Sequence, residues 1–208
     1  MNLTVPAKYS AFSPAKINLF LHITGRKANG YHLLQSIFCP VTLGDELSIS
    51  VQTHSGGELR IHRSGDLIHI PEEIDLTVRA CKAFYANAQV GSGYQVSIHV
   101  NKKVPEQAGL GGGSSNAATV LHLLQEHHDH PLDTDQLTAI GLKLGADVPF
   151  FLQDHCAFVE GIGEIITQIQ GISGHLIVYK PPLSCPTPKI FSDPQLTRNS
   201  SDVKIAVF

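Results

Sequence analysis

The chain predicts an α+β fold in two domains, and three observations carry that reading. Its 208 residues, at a prior of roughly 150 per domain, correspond to about 1.4 domains. Segments of period-two alternation dominate the first hundred residues and return near the end. Segments of helical period fill the middle. The resulting order (strands, helix, strand, two helices, strands) suits α+β better than the strict alternation of a doubly wound sheet. A composition of 42% hydrophobic and 16% charged residues, with 18 Gly and 12 Pro, excludes a disordered chain, a collagen and a coiled coil. A change in composition at 154–156 sets the expected domains at 1–155 and 156–208.

The first strand is read from Ile17, Leu19, Leu21 and Ile23, which alternate with Lys16, Asn18, Phe20 and His22 between Pro14 and Gly25. Lys16 and Asn18, two apart, share one face, and the aliphatic residues take the other. Alternation recurs at 46–51, 58–62 and 94–100. Between the last two, 75–88 is a helix candidate with Leu76, Ala80 and Phe84 on one face. Ala117, Val120, Leu121 and Leu124 keep the spacing of an apolar helical stripe. Another helix starts at Asp133, with Gln136 as its capping-box partner and Gly145 as its stop. Strand-like stretches follow at 157–160, 164–169 and 176–179.

The formal net charge is −3 and no basic run interrupts it, so nucleic-acid binding through a cationic face is not expected. Cys39, Cys81, Cys156 and Cys185 form no CxxC pair, which favours reduced thiols and a cytoplasmic protein. The N-terminal MNLTVPAKYSAF lacks the layout of a secretory signal. No apolar run approaches the roughly 18 residues of a membrane span. His127-His128-Asp129-His130 is expected to be a solvated helix end rather than a metal site, because adjacent helical residues do not face one point.

Gly109-Leu110-Gly111-Gly112-Gly113-Ser114-Ser115-Asn116 is the strongest chemical signal. Four glycines in five positions admit positive φ and close ligand approach. Opening into a helix, they aim free N–H groups and about half a positive charge at one spot, an arrangement suited to phosphate. Ser114 and Ser115 add hydroxyls for phosphate oxygens or Mg²⁺. The alternative is a tightly turned linker. A Walker A would need a Lys after the glycines, a dinucleotide fingerprint would need Gly at 114, and the protein-kinase HRD and DFG signatures are absent. Two further clusters stand out. Lys16 and Asn18 form either a site or a solvent-facing strand surface. Asp147, in Gly145-Ala146-Asp147-Val148-Pro149-Phe150-Phe151, is either a reactive acid or a capping residue in a turn.

Together these clusters resemble the GHMP small-molecule kinases. Pro14-Ala15-Lys16-Ile17-Asn18-Leu19 is similar to their first motif, and 109–118 to their ATP-phosphate loop. Thr24-Gly25-Arg26-Lys27-Ala28-Asn29-Gly30-Tyr31-His32, residues 145–151, Glu160-Gly161-Ile162-Gly163-Glu164 and Ile190-Phe191-Ser192-Asp193-Pro194 resemble one branch in particular. That branch phosphorylates the C2 hydroxyl of a diphosphocytidyl-methylerythritol in the non-mevalonate isoprenoid pathway. The similarity runs from about residue 13 to 199. It implies a ribosomal protein S5 domain 2-like N-terminal domain, a ferredoxin-like C-terminal domain, and ATP with Mg²⁺ as cofactors, the metal ligands being left open. By position it makes Asp147 the catalytic acid that takes the hydroxyl proton, with Lys16 beside it as the charge neutraliser. It has Asn18 hold the substrate, Tyr31 and Phe191 sandwich the cytosine, and His32 read the base's polar edge. Lys102 or Lys103 and the run Pro105, Gly109, Leu110, Gly111, Gly112, Gly113, Ser114 and Ser115 surround ATP.

Three departures qualify the resemblance. Glu106-Gln107-Ala108 stands where some members carry more glycine, and Asp75 where the family often has Asn near adenine. Members also continue, through an Asn-Asp-Leu-like helical segment and a third glycine-rich motif, where this chain reads SSDVKIAVF. The expectation is therefore an incomplete C-terminal domain with impaired turnover and an exposed apolar face that favours self-association. A GHMP kinase of other specificity and a catalytically silent nucleotide-binding fragment remain as alternatives.

Overall fold

In the computed structural model, residues 6–28, 30–171, 174–181 and 187–204 are described. Two strands of unusual length begin the fold, β1 (Ala7–Arg26) and β2 (His32–Thr53), paired with each other. Lys27 N–H donates to Tyr31 O at 2.7 Å, and Gly30 N–H to Lys27 O at 2.9 Å, which closes the connection between them. The chain then runs through β3 (Arg60–Gly65), α1 (Leu76–Asn87), β4 (Tyr94–Asn101), α2 (Gly112–His127), α3 (Thr134–Leu144) and α4 (Val148–Phe151). It ends with β5 (Ala157–Gly161), β6 (Ile165–Gln168) and α5 (Thr187–Ser192).

The residues separate into two compact units. One takes in the residues up to Ala15, Thr42–Glu106 and Gly111–Gln153. The other takes in Lys16–Val41, Gln107–Leu110 and the described residues from Asp154 on. In the first unit the C-terminal half of β2 pairs antiparallel with β4, from Glu46 opposite Asn101 to Thr53 opposite Tyr94. Alternation decides what is buried: Leu47, Ile49 and Val51 are 1–2% exposed, as are Val96, Ile98 and Val100 at 0–1%. Each such side chain contributes about 1.5–3 kcal/mol on burial. Strand β3 pairs with β4 in parallel, with α1 as the crossover between them.

Helices α1 and α2 pack on each other, and α4 packs on α2 and α3. Asp75 caps α1 by accepting from Thr77 N–H at 2.8 Å. Its second oxygen accepts from Arg63 Nη1 at 2.8 Å. The stripe α1 buries is Thr77, Val78, Ala80, Cys81 and Phe84. The expected box on α3 is present, with Gln136 N–H donating to Asp133 and Asp133 N–H donating to the Gln136 side chain. Together these account for the helices read from spacing.

In the other unit the N-terminal half of β2 pairs antiparallel with β5, Leu34 opposite Gly161 through Phe38 opposite Ala157, and β5 pairs with β6. Three expectations need correction. Residues 176–179 are not a strand: they lack ladder hydrogen bonds among the described residues, and Ile177 is 99% exposed. An alternating pattern without a neighbouring strand has nothing to pair with. On β1 the aliphatic face is open at Leu19 and Leu21, 40% and 46% exposed, and closed at Ile23, 5% exposed, while on the other face Lys16 is 5% exposed and Asn18 is exposed. Lys16 turns inward because it finds partners there. The histidine run is a solvated end only in part: Asp129 and His130 are exposed, whereas His127 and His128 are partly buried. His128 stacks on Phe84 at 5.7 Å and shares a 2.9 Å hydrogen bond with Tyr85, because the end of α2 docks on the aromatic side of α1. Burial, reinforced by His127, pushes the His128 pKa down to about 4. Cys39, Cys81 and Cys156 are free and buried, as expected, and Cys185 lies outside the described residues.

A buried carboxylate ties the first unit together. Asp45, fully buried, accepts from Lys103 N–H at 2.7 Å and from Val104 N–H at 2.8 Å, and it pairs with Lys102 Nζ. Asp45→Asn keeps the shape but leaves the largely buried ammonium of Lys102 without its counter-charge. It is predicted to cost about 3–5 kcal/mol of stability, read as a lower urea midpoint at unchanged slope. A loss below about 1 kcal/mol, the range of an exposed pair, would show that the pair carries no such weight.

Candidate active site

The glycine-rich loop begins in a turn and ends in a helix. Gly109 and Gly111 both hold φ of 72°, which L side chains rarely adopt. Helix α2 starts at Gly112, earlier than its apolar stripe suggests, so Gly112, Gly113 and Ser114 form its first turn. Gly111 at the N-cap supplies no side-chain hydrogen bond. The N–H groups of that turn therefore have no intrahelical partner and point out of the helix end. Ser115 is turned the other way. Its N–H donates to Gly111 O at 2.9 Å, and its hydroxyl shares a 2.8 Å hydrogen bond with Ser13 in the core. That bond anchors the turn to β1 within the same unit. Asn116 is fully buried, and neither of its amide atoms has a hydrogen-bond partner among the described residues.

Lys102 borders this turn. A Cβ placed on Gly112 would lie 3.0 Å from Val104 Cγ1 and 3.1 Å from Lys102 Nζ. Glycine at 112 thus lets the backbone come within reach of the ammonium that Asp45 holds in place. Lys103 instead extends to Glu46 at 2.5 Å, an exposed pair. The turn carrying Asp147 also reaches the loop, since a Cβ on Gly145 would lie 3.7 Å from Ser114 Oγ. Asp147 occupies the N-cap position of α4 but makes no capping hydrogen bond, so the capping reading does not account for it.

The other unit holds Lys16 and Asn18. Lys16 Nζ donates to Asn18 Oδ1 at 2.6 Å and sits 4.5 Å from the centroid of the Phe38 ring. Asn18 Nδ2 donates to Ser36 Oγ at 2.9 Å, and Ser36 Oγ donates to Phe20 O at 2.5 Å. This relay orients the amide, with its oxygen toward Lys16. A buried ammonium is tolerated where hydrogen bonds and an aromatic face replace water. Lys16 N–H also donates to Leu110 O at 2.9 Å, tying β1 to the residue before Gly111. In the same segment Gln107 holds φ of 52°. A left-handed residue other than glycine costs about 1–2 kcal/mol. That strain lies within the Glu106-Gln107-Ala108 departure.

The aromatic group is partly assembled. The His32 and Phe191 rings lie 5.0 Å apart, tilted by 38°. Tyr31 is 61% exposed. Arg198 Nε donates to His32 Nε2 at 3.1 Å. Burial, then the charges of Arg198 and Arg26, hold the His32 pKa below its ordinary value. Spacing alone did not single out Asp45, Ser13, Ser36 or Arg198. An acid set among apolar residues after Gly44 signals Asp45, whereas the other three depend on partners far along the chain.

The residues fit a nucleotide's phosphates: an uncapped glycine-rich helix start, an adjacent Lys and an orphaned buried amide accompany one another. Among the described residues no group of three or more His, Cys, Asp or Glu is arranged to hold a metal ion, and no helix is long and apolar enough to cross a membrane.

Residues 75–159 match the GHMP kinases N terminal domain. The chain is 45% identical over 199 residues to the 4-diphosphocytidyl-2-C-methyl-D-erythritol kinase of Janthinobacterium sp. (strain Marseille), covering 94% of this chain and 68% of the relative. It is 46% identical over 197 residues to the same kinase of Herminiimonas arsenicoxydans, with the same coverage. The crystal structure of a 4-(cytidine 5'-diphospho)-2C-methyl-D-erythritol kinase superposes with a TM-score of 0.68 at 36% identity, covering 88% of this chain and 63% of that one. The mevalonate kinase of Methanococcus jannaschii, at 15% identity and a TM-score of 0.55, shares the fold. The chain thus spans a little under two thirds of the solved relative and about two thirds of the curated ones. On this identity and coverage, the chain belongs to the GHMP kinases, within the family of ATP-dependent 4-diphosphocytidyl-2-C-methyl-D-erythritol kinases.

Proposed function

We propose that this chain transfers the γ-phosphoryl group of ATP to the C2 hydroxyl of 4-diphosphocytidyl-2-C-methyl-D-erythritol. The observation that carries the reading is the gathering of Lys102, the glycine turn and the Asp147 turn around the uncapped start of α2. Family membership supplies the acceptor. ATP, when bound, supplies the phosphoryl group and leaves as ADP.

Asp147 takes the proton of the C2 hydroxyl. Lys16 neutralises the charge that develops on that oxygen, and Asn18, held by Ser36, orients the substrate. Tyr31 and Phe191 enclose the cytosine and His32 contacts its edge. Each such stack is worth about 0.5–1.5 kcal/mol beyond burial. Pro105, Gly109, Leu110, Gly111, Gly112, Gly113 and Ser114 line the phosphates, Lys102 lies nearer to them than Lys103, and Ser115 braces the turn from behind. Phosphoryl transfer depends on positioning and charge neutralisation more than on covalent chemistry, and these residues supply both. Mg²⁺ enters with the nucleotide, the Ser114 hydroxyl being a donor within the loop. Residues 1–155 act as the ATP- and substrate-binding domain and 156–208 as part of the C-terminal domain. Buried free thiols support a cytoplasmic setting. The exposed run from Leu176 to Tyr179 supports self-association, which sedimentation at rising concentration reads.

Incubation of the chain with ATP and the cytidyl substrate, or with homoserine or mevalonate, tests the reading by mass spectrometry of the products. A phosphorylated product from the cytidyl substrate alone is expected. Equal turnover of the other alcohols would assign another specificity, and ATP binding without any product would make the chain a silent nucleotide binder. Asp147→Asn is expected to lower kcat by about 10²–10⁴ with substrate affinity kept. Near-unchanged turnover would remove Asp147 from the reaction. Gly112→Ala places a methyl group between Val104 and Lys102 and is expected to raise KM for ATP by about tenfold. An unchanged KM would take that backbone out of the phosphate cradle.

A further inference from the structure

We propose that Arg198 is a positioning residue that locks His32 in the form carrying its proton on Nδ1, and so makes His32 a fixed donor toward a pyrimidine acceptor. The proposal rests on the cytidyl reading above and adds a residue and a selection rule to it. Arg198 makes four hydrogen bonds from its guanidinium at this corner. Nε donates to His32 Nε2 at 3.1 Å and Nη1 to Leu196 O at 3.0 Å, while Nη2 donates to Phe191 O at 2.9 Å and Asp193 O at 2.7 Å. One planar fork thus holds both the imidazole and the backbone that carries the Phe191 ring, 5.0 Å from it.

The tautomer follows from valence. A guanidinium has five N–H donors and no acceptor, so whatever it bonds must accept. His32 Nε2 is therefore unprotonated, and a neutral imidazole with an accepting Nε2 carries its hydrogen on Nδ1. Protonation at Nε2 would break the bond and set a cation against Arg198, with Arg26 as the other charged group acting on the ring. Burial and these two charges disfavour imidazolium in the same direction. A ring fixed as an Nδ1 donor suits a base edge that presents acceptors. Cytosine offers acceptors at O2 and N3, whereas uracil keeps the O2 acceptor and offers a donor at N3, so an Nδ1 donor set against N3 tells the two apart. The corner therefore discriminates by the hydrogen-bond sense of one ring position, a device that rejects the mismatched base because a buried donor would be left unpaired.

Long-range ¹H–¹⁵N spectra of the full 208-residue chain, with the His32 signal identified by its loss in His32→Gln, read the ring directly. Isothermal titration with CDP and UDP reads the selection. An accepting Nε2 and a protonated Nδ1 are expected in the wild type, with CDP bound more tightly than UDP. In Arg198→Ala the His32 tautomer becomes mixed and the affinity for CDP falls by about tenfold. The acid limb of CDP binding also moves to higher pH, because a depressed pKa released from Arg198 rises toward its ordinary value. Arg198→Lys, which keeps a charge and a donor, recovers part of the affinity. A protonated Nε2 in the wild-type spectrum overturns the proposal without any variant having to fold, and so does an Arg198→Ala protein with unchanged spectrum and acid limb. If CDP fails to bind the wild type, or binds His32→Gln equally well, the cytidyl reading fails. The tautomer measurement still decides the role of Arg198.

Discussion

The carboxylate of Asp45 is the constraint on which the glycine-rich loop depends. It is buried, and it spends its oxygens on two consecutive backbone amides and the ammonium of Lys102. Those bonds fix the path of the chain as it leaves β4, and that path leads directly into the glycine turn. Without them the Lys102 side chain would have no reason to remain largely buried beside Gly112, and the backbone there would have no wall to lie against. The loop is anchored a second time from behind, where Ser115 meets Ser13 on β1. A glycine-rich segment is flexible by composition. Here, two buried polar contacts make it a shaped surface.

A similar economy holds the Lys16 face of β1. The Lys16 side chain turns inward because Asn18, Ser36 and the Phe38 ring together replace the water that an ammonium would otherwise need. On the aliphatic side Leu19 and Leu21 are exposed and Ile23 is buried. Each unit thus holds a lysine, Lys102 in one and Lys16 in the other, among neighbours that fix its ammonium. A phosphoryl-transfer site requires this, because its catalytic power comes from charges and dipoles fixed before the reaction.

Much of this was legible in the sequence, and what escaped has a common cause. Local signals read well. Asp133 caps the helix it was expected to cap, the alternation around Leu47 and Val96 marks paired strands, and Gly109–Gly113 stands out on composition alone. Period-two alternation says that two faces exist but not which one is buried, so it left Lys16 open between a site and a solvent-facing surface. It also cannot say whether a partner strand is present, so 176–179 read as a strand it does not form. The parallel pairing of β3 with β4, the Ser13–Ser115 bond and the grip of Arg198 on His32 join residues far apart in the chain. Only the fold brings them together. The histidines at the end of α2 failed in the same way, since their aromatic neighbours lie on other elements.

The central claim is that the start of α2 and the turn before it are a phosphate cradle. Titrating the ¹⁵N-labelled chain with a non-hydrolysable ATP analogue tests this most directly. The account predicts that the amide signals of Gly111, Gly112, Gly113 and Ser114 move together and saturate at one dissociation constant, with the Lys102 amide following them. Saturable binding of the analogue that leaves those four amides in place would contradict it.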